Sequence, residues 1–252
     1  MDETTVAYLL DLNHQFYQTF ALQFTQTRRR LQPGVQRLLP SLPLNGRILD
    51  VGCGNGELAK ALLQRGFRGR YVGLDFSEGL LAQAHLELGL QSGEAPSLPS
   101  PADVPWILQR ADLSSPDWPQ NLPFAAYDVV LLFAVLHHLP GEALRLRVLR
   151  DLRSLLDEKG VLQLSVWQFA NSPRWLERIQ PWETVDLTAT QLDPGDYLLD
   201  WRHGGSGYRY VHLFSEAELS VLAGEADFAI RETFYSDGKG GGLGLYQAWI
   251  PC

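Results

Sequence analysis

Residues 47–66 read RILDVGCGNGELAKALLQRG. The apolar RILDV predicts a buried strand over 47–51, and the spacing of leucines and alanines in ELAKALLQRG predicts a helix over 57–66 ended by Gly66. Between them, glycines at 52, 54 and 56 let the chain turn sharply and let a ligand approach the backbone closely. Asp50 opens this loop and Cys53 lies inside it. The spacing is G-x-G-x-G, not the G-x-G-x-x-G of a dinucleotide fold, so a dehydrogenase is the least favoured reading.

Working outward, the same rhythm repeats. RYVGLD (70–75) reads as a strand, EGLLAQAHLEL (78–88) as a helix, 89–105 as a Pro/Ser/Gly-rich loop, and WILQRAD (106–112) and YDVVLLFAV (127–135) as strands. EALRLRVLRDLRSLL (142–156) is a helix whose Arg145, Arg147, Arg150 and Arg153 oppose its leucines, which predicts a solvated face. VLQLSVWQF (161–169) is another strand. This alternation predicts an α/β fold, a mostly parallel sheet with helices on both faces. Upstream, a helix runs from Val6 to about Arg30 and a short one starts at Pro33. Residues 171–213 break the rhythm and read as an irregular insertion. SEAELSVLAG (215–224) resumes a helix with an N-cap serine, and FAIRETFY and LGLYQAWI predict an antiparallel pair around a glycine-rich loop. The expected organisation is one domain over 1–252: a helical cap (1–45), a core (46–170), a substrate-side insertion (171–213) and a C-terminal helix and hairpin (214–252).

Three acids end three successive strands: Asp50, Asp75 (followed by Phe76) and Asp112 (followed by Leu113). Parallel sheets bind ligands in the crevice at those strand ends. A carboxylate at 75 can accept both hydroxyls of a ribose. Asp112 can take an adenine amino group and the Leu113 backbone a ring nitrogen.

Composition narrows the class. The net charge of −8 argues against nucleic acid bound along the whole surface, yet no acid falls between Leu12 and Leu49, where Arg28, Arg29, Arg30, Arg37 and Arg47 lie. That stretch is either a solvated face or a local anion contact. No apolar run reaches the roughly 18 residues of a membrane span. The acidic opening MDETTVAYLLDLNHQ has no signal-peptide pattern, which makes the cytoplasm the default compartment. Cys53 and Cys252 do not suggest a disulfide framework, and the histidines lack metal-ligand spacing, so no metal is expected.

The glycine loop and the strand-end acids resemble the class I S-adenosylmethionine-dependent methyltransferases over about 45–170. That resemblance implies a Rossmann-like, seven-stranded sheet closed by an antiparallel hairpin, with Phe133 and Ala134 lining the cofactor's methionine portion. FTQTR (24–28), FAVLHH (133–138), GDYLLDW (195–201) and YRYVHLF (208–214) together resemble, over about 12–235, the tRNA wobble-uridine methyltransferases that esterify 5-carboxymethyluridine. By that resemblance Arg28 reaches the cofactor's carboxylate, His138 lies near the transferred methyl, and a small zinc-bearing activator protein is a possible partner. The sequence departs from that family in three places. Only six residues join Trp201 to Tyr208, Asp200 replaces a proline before the tryptophan, and SDGKGGGLGLYQAW differs from the usual C-terminal pattern.

The chemistry accounts for these residues. A carboxylate, with a pKa of about 4, is already a nucleophile at neutral pH and needs no base. What remains is to place one oxygen in line, for which a guanidinium fork is the natural clamp. Arg209 is the candidate to engage the substrate's carboxylate or a nearby phosphate, with Tyr210 and His212 fixing the loop or stacking on a base. In an alternating strand Tyr208, Tyr210 and His212 share one face, so the cleft must lie on the Arg209 face or the alternation must fail. Two other readings stand beside a tRNA methyltransferase: an enzyme acting on a small carboxylic acid or secondary metabolite, and a non-catalytic S-adenosylmethionine-binding protein. A basic path from Arg28–Arg37 to Arg202 and Arg209 favours tRNA, and an enclosed pocket walled by Trp175, Trp182 and Trp201 favours a small molecule.

Overall fold

The strands at the centre of the molecule are apolar on both faces, as strands sandwiched between helices must be. The computed structural model describes residues 1–27, 30–90 and 106–252. In chain order the first elements are α1 (Glu3–Thr27), α2 (Pro33–Leu38), β1 (Arg47–Val51), α3 (Glu57–Gln64), β2 (Arg70–Asp75), α4 (Glu78–Leu88), β3 (Trp106–Arg110), β4 (Tyr127–Phe133), α5 (Glu142–Ser154) and β5 (Leu156–Trp167). Then come α6 (Pro173–Leu176), β6 (Ile179–Gln180), β7 (Asp196–Trp201), β8 (Gly207–His212), α7 (Glu216–Glu225), β9 (Phe228–Ser236) and β10 (Gly244–Pro251).

Seven strands form one sheet in the order β3-β2-β1-β4-β5-β10-β9, parallel except for β10, which runs antiparallel to both neighbours. This is the Rossmann-like arrangement of class I methyltransferases. Successive strand residues feed opposite layers. Leu49, Val51, Val130 and Leu132 pack with α5 and α7, while Ile48, Val129 and Leu131 pack with α2 and α3. The chain reverses direction across the sheet between β1 and β4, and the crevice at their C-terminal ends is where such folds bind ligands.

Two expectations need correction. The insertion is not irregular: β6, β7 and β8 form a three-stranded antiparallel sheet. Only its YRYVHLF strand is marked by the sequence pattern, because β6 has two residues and the β7–β8 turn is RHGGS. The arginine face of α5 is solvated only in part: Arg150 is exposed, but Arg145 is buried. Arg145 is 1% exposed, bonded to Glu218 (3.2 Å) and stacked over Phe214. Arg147 donates to the carbonyls of Leu113 and Ser114, and Arg150 and Arg153 to those of Glu225 and Asp227. A guanidinium carries five donors, and here they dock α5 to backbone carbonyls of the loop after β3 and of the end of α7 and the turn that follows it.

The small sheet has an open edge at β8, and α1 covers it. Asn13, which is buried, accepts from the Tyr210 amide (2.9 Å) and donates to the Tyr210 carbonyl (3.2 Å), as a neighbouring strand would. Its amide also reaches the His138 carbonyl (3.1 Å). Asn13→Ala strands these buried groups. The expected loss is roughly 2–4 kcal/mol of unfolding free energy, read from urea denaturation, because each orphaned polar group costs about 1–3 kcal/mol. A change below about 0.5 kcal/mol would show that water replaces the side chain. Further along α1, Phe20 has non-helical dihedrals, and its ring packs under the β7–β8 turn. A Cβ on Gly207 would come within 2.6 Å of that ring, so no larger residue fits there without displacement.

Candidate active site

A cleft of about 850 Å³ opens at the C-terminal ends of β1 and β4. Its first wall is the glycine loop. Gly52 has φ 79°, a left-handed conformation, and a Cβ there would strike Val135 at 2.2 Å. The amides of Gly52 and Cys53 donate to the Leu74 carbonyl (2.7 and 2.9 Å), and that of Gly54 to the Asp75 carboxylate (2.9 Å). These three donors face β2, so the loop contributes shape and carboxylates, not the amide nest a pyrophosphate requires. Gly56, which caps α3, packs against Ala84 behind the loop.

Two buried carboxylates belong to this wall: Asp50 lines the cleft, and Asp75 lies behind Gly54. Burial pushes Asp50 up to about 7, against a 2.6 Å hydrogen bond from the Tyr71 hydroxyl. Burial likewise pushes Asp75 up to about 6, against amide bonds from Ser77 and Gly54. No Lys or Arg among the described residues contributes to either shift. Such carboxylates suit a ligand that brings positive charge and hydroxyl donors.

Phe133 and Ala134, at the end of β4, form the floor beside the loop. Ala134 has φ 57°, and its amide is held by Ser165, which ends the strand abruptly and opens the cleft. His138 lines the cleft too. Its Nδ1 lies 3.3 Å from the Tyr210 carbonyl and its Nε2 2.8 Å from the Tyr17 hydroxyl. A carbonyl can only accept, so in the neutral ring Nδ1 carries the proton and Nε2 accepts from Tyr17. His138 is thus tied to α1 and β8, an arrangement for positioning more than for proton abstraction. The adjacent His137 is buried, and its Nδ1 accepts from the Trp167 amide (3.3 Å).

The far wall is the small sheet. Regular alternation holds in β8, and the cleft lies on the Arg209 face. Arg209 is 2% exposed and lines the cleft, with Trp167, Phe16 and Trp201 rings 4.8, 5.4 and 5.9 Å from its guanidinium carbon. Tyr210 and His212 point the other way and are not brought to the cleft. The Tyr210 hydroxyl donates to Asp196 (2.7 Å), and His212 sits between Asp196 (2.6 Å) and Glu218 (2.7 Å). Burial pulls the His212 imidazolium down, but its two carboxylate partners outweigh it and hold the pKa above the usual histidine value. Both residues brace the back of the strand that carries Arg209.

The other expected cofactor residues lie behind α1. Phe76 stacks on His14 (4.7 Å), and His14 Nε2 is 3.8 Å from Asp112. One Asp112 oxygen is used by Ser114, and Arg147 fixes the Leu113 carbonyl. Asp75 joins this region to the cleft through Gly54. Arg28 lies outside the described residues, whereas Arg30 does line the cleft. Trp175 and Trp201 line it as well, with Trp167, but Trp182 packs near Leu9 instead. His14, Asn13 and Tyr17 gave no signal in the sequence, because their importance depends on where α1 lies across the sheet.

Residues 24–233 match a family described as a methyltransferase domain. The chain belongs to that family. A putative methyltransferase of Encephalitozoon cuniculi is 29% identical over 86% of this chain and 87% of its own. The tRNA (carboxymethyluridine(34)-5-O)-methyltransferase of Schizosaccharomyces pombe is 25% identical over 88% and 90%. A trans-aconitate 2-methyltransferase of Streptomyces avermitilis is 24% identical over 80% and 83%. Among solved structures, the putative methyltransferase bound to the Trm112 activator in Haloferax volcanii is 15% identical with a TM-score of 0.62, covering 96% of this chain and 97% of that one. This methyltransferase is an enzyme, and a solved structure of the same fold, 19% identical, holds S-adenosylmethionine. The two buried carboxylates without a cationic partner fit that positively charged, hydroxyl-bearing group.

The fit predicts a pH dependence. Binding a cation favours ionised Asp50, so affinity for S-adenosylmethionine should rise as pH increases through about 7, with proton release on binding below it. Stability runs the other way. A folded pKa above the unfolded value means the folded protein holds an extra proton between about 4 and 7, so stability falls as pH rises across that window. Asp50→Asn should therefore raise unfolding free energy above pH 7 by on the order of 2–4 kcal/mol while weakening cofactor binding and flattening its pH profile. Calorimetry and denaturation across the window check both signs.

Proposed function

We propose that this methyltransferase esterifies a carboxylate, and that its acceptor is 5-carboxymethyluridine at the wobble position of tRNA. The observation that carries the reading is Arg209, a buried guanidinium walled by three aromatic rings on the cleft face of β8. A guanidinium binds anions through its planar N–H fork, which matches the geometry of a carboxylate. The cleft carries charges of both signs: Arg174, Arg178, Arg202 and Arg209 gather with Asp200 on the acceptor wall, Asp50 and Glu57 lie beside the glycine loop, and Arg30 and Asp237 line it too.

S-adenosylmethionine supplies an activated methyl on a sulfonium. Asp50 and Asp75 hold the donor, the Gly52 turn admits it, and Phe133 and Ala134 shape the floor. Arg209 orients the acceptor carboxylate, which is ionised at neutral pH and needs no base; the tethering of His138 through both ring nitrogens agrees with that. The resemblance in FTQTR, FAVLHH and YRYVHLF and the fission-yeast relative support the tRNA acceptor. A small di- or tricarboxylic acid is the second reading, favoured by the Trp167, Trp175 and Trp201 wall and by the trans-aconitate relative.

The test is methyl transfer from labelled donor to tRNA bearing 5-carboxymethyluridine, with and without a small activator protein of the kind in the archaeal complex. Label in a base-labile ester is the expected result. Label found only in small polycarboxylic acids would move the acceptor to the second reading.

A further inference from the structure

The acceptor wall carries more positive charge than one carboxylate requires. Arg209 lies deep, and at the rim two further arginines share a single acid: Asp200 is 3.4 Å from Arg178 and 2.5 Å from Arg202. The Arg202 side chain is 58% exposed, that of Arg178 20% and that of Asp200 12%. All three line the same cleft as Arg209, and so does Arg174, whose guanidinium lies over the Trp175 ring. In a chain of net charge −8 this concentration of cations on one wall is local. One carboxylate cannot neutralise two guanidinium groups, so the rim keeps a net positive charge beside the entrance. The Arg202 side of the triad is solvent-exposed, where an ion pair contributes only about 0–1 kcal/mol and an incoming anion can compete for the guanidinium.

We infer that Arg178 and Arg202 form a second anion subsite, which Asp200 holds in place until the acceptor arrives. The acceptor therefore carries at least two negative groups. The one to be methylated goes to Arg209, and a second, phosphate or carboxylate, goes to the rim. This rests on the carboxylate reading for Arg209 but not on the source of the second anion. Asp200 is a specificity residue: it orders the two arginines, competes with the second anion and discourages acceptors that have none. The backbone supports this placement, since the Asp200 amide donates to the Arg178 carbonyl (3.0 Å) and fixes the two residues relative to each other.

The test is calorimetry on the protein saturated with S-adenosylhomocysteine. The probes are an anticodon stem-loop RNA bearing 5-carboxymethyluridine, and citrate; the free nucleoside and acetate serve as single-anion controls. In the Arg178→Gln/Arg202→Gln variant, one of the two polyanions should bind about tenfold more weakly, while the controls keep their wild-type affinity. In Asp200→Asn the same polyanion should bind about threefold more tightly. A response by the RNA identifies phosphate as the second anion, and a response by citrate identifies a carboxylate. Polyanion affinity unchanged in both variants overturns the subsite. Methyl transfer measured in parallel separates the two claims. Rim-dependent binding without transfer to any carboxylate overturns the proposed activity and leaves the subsite standing. Transfer with rim-independent binding does the reverse.

Discussion

Asp75→Ala is expected to weaken S-adenosylmethionine binding by at least ~100-fold, since two hydrogen bonds to a charged group contribute about 1.5–3 kcal/mol each. The structure adds an internal reason. The two Asp75 oxygens hold the amides of Ser77, which caps α4, and Gly54, at the tip of the glycine loop. Alanine thus removes a ligand group and unties the loop at once. Asp75→Asn separates the effects: its one remaining acceptor oxygen can hold one of the two amides, so the loop should stay partly ordered while the charge is lost. Calorimetric titration of both variants, with circular dichroism to verify folding, reads the result. Wild-type affinity in a folded Asp75→Ala protein would remove Asp75 from the cofactor site.

Much of this site is legible in the sequence because it depends on local pattern. RILDV and RYVGLD match β1 and β2 residue for residue, and EGLLAQAHLEL matches α4, since each is a short run bounded by turn or cap signals. Asp50 and Asp75 could be placed because a parallel sheet puts the ends of its strands together. What the pattern could not carry is the third dimension. The arginines of α5 follow the spacing of a solvated face, yet they are docking groups, because α7 and the loop after Asp112 lie against them. Asp112 and Phe76 follow the cofactor pattern, and α1 brings His14 against both, a contact that the pattern does not carry. YRYVHLF was legible as a strand with Arg209 on the face opposite Tyr208, Tyr210 and His212, and the orientation of the small sheet then decided which face met the cleft. Asn13 is an unremarkable polar residue within a helix until β8 is seen to need a partner along its edge.

Arg209 gives the other large expected effect. Arg209→Met should lower turnover on a carboxylate acceptor by at least ~100-fold and leave the affinity for S-adenosylmethionine within about threefold of wild type, because a charge-assisted pair is lost only on the acceptor wall. Methionine is the informative choice. Its flexible thioether can fill the space between Phe16, Trp167 and Trp201, so the small sheet keeps its packing while the guanidinium is removed. Alanine would confound the two by leaving a cavity among three rings. Lysine tests a different point. It restores the charge without the planar fork, and if orientation is the contribution, Arg209→Lys should recover little of the lost rate. A lysine variant near wild-type turnover would mean that Arg209 acts as a point charge. Loss of cofactor binding in a folded Arg209→Met protein would mean that the division into a donor wall and an acceptor wall is wrong. Between those outcomes the position of Arg209 makes a definite claim: the residue orders the acceptor, and the rate depends on the angle at which it does so.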